Sequence, residues 1–208
     1  MNAYLHGIDV LAGLHSETAD ETEVVAQTVL REIAAVSAPP YPRATALGKT
    51  LPSQIPGVSD EAWTEFALGM KTTAQDAVSS SNAFGMFEMR PRRLEDLGLM
   101  RNVVPVNSRK KGAMAWIGEW VPPLTEKRFL GSAIEQYDAF GRSMRSYLEG
   151  LDQGVVPQPD TGLPADMTVS GALAILHRCG PSGLVKWIDE ETRLPNTVAL
   201  YQAVNGIF

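Results

Sequence analysis

Glu88 lies in Gly85-Met86-Phe87-Glu88-Met89-Arg90-Pro91, between Phe87 and Met89, and an apolar setting of that kind suits a general acid. Apolar neighbours disfavour the carboxylate, raise its pKa and keep a proton on it near neutral pH. Arg90, Arg92 and Arg93 follow directly, so an ion pair is the competing role for the same side chain. Asp76, nearer the start of this stretch, has the context of a cap or turn residue.

Other reactive side chains are sparse. With one cysteine, Cys179, no internal disulfide is possible, and with three histidines the usual nitrogen and sulfur spacings for zinc do not occur; neither metal nor cofactor is expected. Cys179 has no acid–base partner in its surroundings and reads as a small apolar residue beside Gly180. His177, alone on a mostly apolar helix, fits a structural histidine. Trp116 and Trp120 present flat apolar faces that match either a sugar ring or a core. Arg109-Lys110-Lys111 reads most simply as a solvated loop.

Composition narrows the partners. A net charge of −6 and a pI near 5.1 disfavour phosphate neutralisation, so nucleic acid is not expected. Apolar content of 44% with 20% charged residues is that of a globular chain, and 208 residues suffice for one sizeable core with an appendage. Nowhere do about 18 apolar residues run together, so no membrane insertion is expected. Met1 to Asp20 lacks a basic stretch followed by an apolar one, which predicts synthesis in the cytoplasm without a signal peptide.

Periodicity supplies the elements that must position these groups. Val25, Val29, Ile33 and Val36 predict a helix over Thr22–Val36, stopped by Pro39-Pro40 and Pro42. The stretch Ala38–Val58 reads as a connection. Asp60 can cap a helix with Trp63, Phe66, Ala67, Met70 and Ala74 on one face. Residues 99–128 show no sustained period and are assigned no regular element. A long stripe of Leu130, Ile134, Tyr137, Phe140, Met144, Tyr147, Leu148 and Leu151 predicts a central buried helix ending at Gly150 or Gly154. A helix over Thr168–Arg178 should stop at Gly180-Pro181, with two short ones around Leu184–Thr192 and Thr197–Asn205. The fold expected is all-α, with a mainly helical α+β arrangement as its variant and a short hairpin near Asp76–Met89. Residues 1–58 would form a helical extension packed on a core domain of 59–208.

Three ordered segments carry a resemblance. Gly85-Met86-Phe87-Glu88-Met89-Arg90-Pro91 with Leu97-Gly98 resembles G-L-M-Q-x-x-P and the L-G that follows. Ala139-Phe140-Gly141 through Tyr147-Leu148 is similar to a helix of small and aromatic residues. Leu176-His177-Arg178-Cys179-Gly180-Pro181-Ser182-Gly183-Leu184-Val185-Lys186-Trp187, with Pro195-Asn196-Thr197 and Tyr201, looks like A-x-N-A-G-P-G-x-V-x-x-W and P-E-T-x-x-Y. In that order they resemble soluble lytic transglycosylases and goose-type lysozymes, from about Asp60 to the C-terminus.

The resemblance implies a lysozyme-like helical bundle and cleavage between N-acetylmuramic acid and N-acetylglucosamine by a single glutamic acid. Such an acid must sit in a partly apolar cleft to hold its proton. The family's glutamate lies in a Glu-Ser pair before the loop. The transglycosylase spacing falls near Met70-Lys71-Thr72, and the longer goose-type spacing falls next to Glu65. Glu65 and Glu88 are therefore the candidate catalytic acids, although Glu65 is opposite the Trp63/Phe66/Met70 stripe, where a solvated position serves equally well. Phe87, Met89, His177 and Tyr201 occupy positions that imply substrate binding. The basic cluster at 109–111 could then meet muramyl-peptide carboxylates.

The expected function is peptidoglycan strand cleavage of lytic-transglycosylase or muramidase type, in a phage or phage-derived particle. The alternative is a catalytically degenerate lysozyme-like part of a tail, virion or injection apparatus. Glycan strands and other virion or secretion-apparatus proteins are the expected partners. Lysis, a virion or a secretion machine would carry the protein to the cell wall.

Overall fold

The computed structural model describes residues 50–107, 114–156, 163–189 and 194–208; the helix expected over Thr22–Val36 lies outside them. In chain order the elements are α1 (Asp60–Gly69), α2 (Pro91–Asp96), β1 (Met100–Asn107), β2 (Met114–Trp120), α3 (Glu126–Gly131), α4 (Ala133–Asp152), α5 (Val169–Ile188) and α6 (Pro195–Val204).

α4 is the central helix that its stripe predicts. Ser132 opens it by accepting the Glu135 N–H at 3.2 Å. Tyr137, Phe140, Met144, Tyr147 and Leu151 are buried along it. Against this face α1 places Trp63, Phe66, Ala67 and Met70, all buried, while Ala74 falls beyond the helix in an exposed loop. Trp63, Phe66 and Phe140 pack ring against ring at centroid distances of 5.8 to 6.0 Å. Leu51 and Ile55, from the connection ahead of α1, are buried in the same core.

One expectation is corrected. Residues 99–128, assigned no regular element, contain the antiparallel hairpin β1–β2, with Val104 opposite Ile117 and Pro105 opposite Trp116. The fold is thus mainly helical with a two-stranded sheet rather than all-α. A bulge between Arg101 and Val104, with Asn102 at φ 55°, breaks the alternation that reveals a strand in sequence. Pro105 is tolerated because, among the described residues, each strand pairs on one side alone.

At Gly180-Pro181 the helix stops as expected: Gly180 stands at φ 74° and ψ −177°, and a second helix runs from Pro181 to Ile188, so that α5 is two helices joined at a sharp bend. The second of them starts and ends earlier than the span around Leu184–Thr192. α6 falls within a few residues of its predicted span. Near Asp76–Met89 the expected hairpin is reduced to single bridges, Val78 with Phe84 and Phe84 with Met89.

The loop between α1 and α2 is tied to α4 by one buried amide. Gln136 Oε1 accepts the Met86 N–H at 2.8 Å, while its Nε2 donates to the Gln75 carbonyl at 2.8 Å and the Phe129 carbonyl at 3.0 Å. Gly85, at φ 72°, makes room for this: a Cβ there would lie 2.2 Å from Gln136 Oε1. Arg93 holds α2 to the same helix, donating to Ser143 Oγ at 2.7 Å and its carbonyl at 2.8 Å, with its guanidinium 4.1 Å from the Tyr147 ring centroid.

Replacing Gln136 by Leu takes their partner from the buried Met86 N–H and the Gln75 carbonyl, at roughly 1–3 kcal/mol for each group so orphaned, while the Phe129 carbonyl keeps the Ser132 N–H at 3.3 Å. Urea unfolding of Gln136→Leu should lose about 3 kcal/mol or more, and Gln136→Glu, which keeps only the acceptor, should also be destabilised. A loss below about 0.5 kcal/mol, ordinary for a surface change, would show that other contacts hold the loop.

Candidate functional site

The loop closes on itself through reciprocal backbone bonds of 2.9 Å between Phe84 and Met89. Glu88, inside this turn, has φ 49°. That conformation costs a non-glycine residue roughly 1–2 kcal/mol, so the surroundings must fix it. They do: the Glu88 N–H donates to the Gly85 carbonyl at 3.0 Å, and its carboxylate accepts from Thr72 Oγ1 at 3.0 Å and from Arg178 Nη1 on α5. The Glu88 and Arg178 side chains are 23% and 20% exposed, so this ion pair is half-shielded from water.

Burial alone would raise the Glu88 pKa, but the Arg178 hydrogen bond and charge, with the Thr72 hydroxyl, outweigh it and hold the carboxyl below its ordinary value. Glu88 is an ionised, paired carboxylate at neutral pH and has no proton to give there. Of the two roles open in sequence, the ion pair is the one realised, with Arg178 in place of Arg90, Arg92 or Arg93.

His177 precedes Arg178 on α5 and donates from Nε2 to the Phe87 carbonyl at 2.7 Å. Its pKa is pushed down to about 4, first by burial and then by Arg178, Arg90 and Arg93, against the opposing effect of the Phe87 carbonyl. It is a neutral imidazole at pH 7. Arg90 Nη2 donates to the Arg178 carbonyl at 3.2 Å, just before the break at Gly180, where helix carbonyls lose their internal donors.

The other candidates lie elsewhere. Phe87 and Met89 are each 1% exposed; Phe87 stacks on Phe140 at 4.2 Å, so these two fill the core and offer no surface to a substrate. Tyr201 donates to the Asp166 carbonyl at 3.2 Å and packs on Trp187 at 5.2 Å, joining α5 to α6. Glu65 is exposed on the outer side of α1, away from the apolar shell that an acid of this type needs. Cys179 is half-buried, 3.7 Å from Thr197 Oγ1. The structure thus gathers Glu88, Phe87 and His177 and leaves Glu65 and Tyr201 out. Thr72 and Arg178, which complete the cluster, gave no signal in sequence because Arg178 is 90 residues from its partner.

A separate groove of about 250 Å³ runs between the hairpin and the same loop, lined by Phe84, Trp116, Ile117, Trp120, Asn82 and Glu126 among others. Trp120 meets the Phe84 ring edge-on at 5.2 Å and Phe129 at 5.1 Å. Trp116 is half-buried, with the Arg92 guanidinium 4.6 Å from its ring centroid. Asn82, at φ 58°, donates from Nδ2 to the Trp116 carbonyl at 3.0 Å, which joins the loop to the hairpin. Trp116 and Trp120 carried this signal in sequence; Asn82 and Glu126 did not.

Among the described residues no cluster of three His, Cys, Asp or Glu side chains could hold a metal, and no helix is long and apolar enough to cross a membrane. No family model, curated protein or solved structure matches the chain.

The pH dependence of stability follows from these pairings. His177 has a folded pKa of about 4 against about 6.5 unfolded, so the unfolded chain binds more protons between those values and stability falls as pH drops across that window. Glu88, with its folded pKa lowered, contributes stability above the unfolded value near 4.3, and that contribution is lost as pH falls through the folded value. Urea unfolding at several pH values should show His177→Gln flattening the slope between about pH 6.5 and 4 by up to one proton, while Glu88→Gln acts mainly below that window. An unchanged slope in His177→Gln would remove the assignment.

Proposed function

We propose that this chain is a lysozyme-like, peptidoglycan-directed component of a phage or phage-derived particle, and that it binds or supports the glycan rather than cutting it. The observation that carries this reading is the state of Glu88, whose carboxylate is held by Arg178 and Thr72 as an anion. A glycosidic acid must keep its proton in an apolar cleft, which the paired Glu88 does not. Glu65 is exposed, outside any such cleft. The aromatic groove supplies a surface for sugar instead, since indole faces match the apolar face of a pyranose.

The fold is consistent with this reading at the level of architecture. A core helix, α4, takes a loop, a hairpin and a bent helix on its flanks, and the segments that resemble the transglycosylase family fall on that loop, on α4 and on α5–α6. The acidic net charge opposes accumulation on an anionic wall and suits a protein brought there by a larger assembly.

Purified protein incubated with murein sacculi should co-sediment with them without releasing muropeptides detectable by mass spectrometry. Trp116→Ala should weaken co-sedimentation roughly tenfold, within the range for losing an aromatic anchor. Anhydro-muropeptides that appear with the native chain and vanish in Glu65→Gln or Glu88→Gln would establish the cleaving enzyme instead. Absence of co-sedimentation would remove the glycan reading altogether.

A further inference from the structure

Asn205 is followed by Gly206, and no other asparagine of the chain precedes a glycine. In such a pair the glycine nitrogen can attack the side-chain amide carbon, because the following residue has no Cβ to stand in the way. A bond forms from Gly206 N to Asn205 Cγ, the Cγ–Nδ2 bond breaks, and ammonia leaves with the proton that the glycine nitrogen gives up. Water then opens the succinimide ring at either carbonyl, giving aspartate or isoaspartate. The backbone explains the glycine. Gly206 stands at φ 93°, where an L side chain is strained, although a Cβ there would meet nothing within 4 Å. The turn after α6 thus imposes the reactive pair.

The same turn holds the pair still. Asn205 Oδ1 accepts the Thr168 N–H at 2.9 Å and the Thr168 hydroxyl at 3.1 Å, while Nδ2 donates to the Asp166 carbonyl at 2.9 Å. That hydroxyl also holds the nucleophile, since the Gly206 N–H donates to Thr168 Oγ1 at 2.9 Å. Attack needs the amide to swing its carbon toward Gly206 and the glycine nitrogen to lose its proton, and both steps break bonds to Thr168. Thr168 is itself fixed as the N-cap of α5, accepting the Gly171 N–H at 3.4 Å. Gly171 gives the amide its room, since a Cβ there would lie 2.3 Å from Asn205 Oδ1. Gly206 is exposed, so bonds rather than burial guard the site, and bonds at a surface open locally more readily than a core does.

We infer that Asn205 is a site of spontaneous deamidation, with water as the co-reactant, and that the Thr168 hydroxyl gates its rate. The product is not neutral for the fold. Isoaspartate routes the main chain through the side-chain carbon and inserts one methylene ahead of Gly206. Residues 205–208 are joined to α5 by the Ser170 N–H, which donates to the Phe208 carbonyl at 3.2 Å, and to α1 by the Phe208 ring, 5.1 Å from that of Phe66. A shifted main chain at Gly206 undoes these contacts. Aspartate keeps the main chain but has no N–H for the Asp166 carbonyl. The inference stands apart from glycan binding.

Incubation of the full chain in mildly alkaline buffer, followed by peptide mapping that separates aspartate from isoaspartate at position 205, tests the inference. The native chain should deamidate there at least about tenfold more slowly than the same chain unfolded in urea, because several hydrogen bonds must open first. Thr168→Val, which keeps the side-chain shape and removes the hydroxyl, should speed the folded chain by about tenfold. Thr168→Ser, which restores the hydroxyl and the cap, should return the rate to within about threefold of native. A native rate equal to that in urea, or a folded Thr168→Val that deamidates no faster than native, would overturn the inference. Where Thr168→Val does not fold, hydrogen exchange of the native chain decides. A protected Gly206 amide beside slow deamidation supports the gate, and a freely exchanging one removes it.

Discussion

A single buried side-chain amide, that of Gln136, sets the position of everything that could act on a ligand. It is 1% exposed on the central helix and reaches the loop before α2 through Met86 and Gln75, and the turn before α4 through Phe129. In a low-dielectric interior these bonds cannot be exchanged for water, so the loop has one seat on the helix. The stacked Phe87 and Phe140 rings and the Arg93–Ser143 bonds extend the same seam on either side. The hairpin then follows α2, and the groove forms where the hairpin meets the loop.

That seat also explains why Glu88 ends as a paired anion. Its neighbours Phe87 and Met89 turn into the core, and the short reciprocal turn from Phe84 to Met89 leaves Glu88 at a left-handed backbone angle at the loop's outer edge. There α5 presents His177 and Arg178 in succession, one to the Phe87 carbonyl and the other to the carboxylate. The apolar residues flanking Glu88 in sequence surround its backbone, while a guanidinium and a hydroxyl surround its oxygens. Flanking residues in a tight turn are therefore a poor guide to a carboxylate's solvent.

Much of the helical frame was legible in sequence, because long amphipathic stripes such as Tyr137 to Leu151 persist over several turns and the Gly180-Pro181 break is a local backbone event. The hairpin was not, since its bulge at Arg101–Val104 and Pro105 interrupt the period of two. The site was legible only in part. Glu88 and His177 were singled out and do lie together, whereas Arg178 and Thr72 join them through contacts across 90 and 16 residues that no local pattern encodes. Phe87 and Met89 had the residue types of a cleft wall, but the same types fill a core, and burial decides between them.

The clasp between Glu88 and Arg178 also sets the charge that the loop presents. Two opposing influences act on one carboxyl: burial pushes toward a retained proton, and the guanidinium and hydroxyl push away from it. An uncharged residue at 178 would leave burial as the larger remaining influence on Glu88, while Gln136 and the Phe84–Met89 turn would still hold the loop in place. One side chain on α5 thus decides which of the two influences governs a carboxyl whose scaffold stays the same.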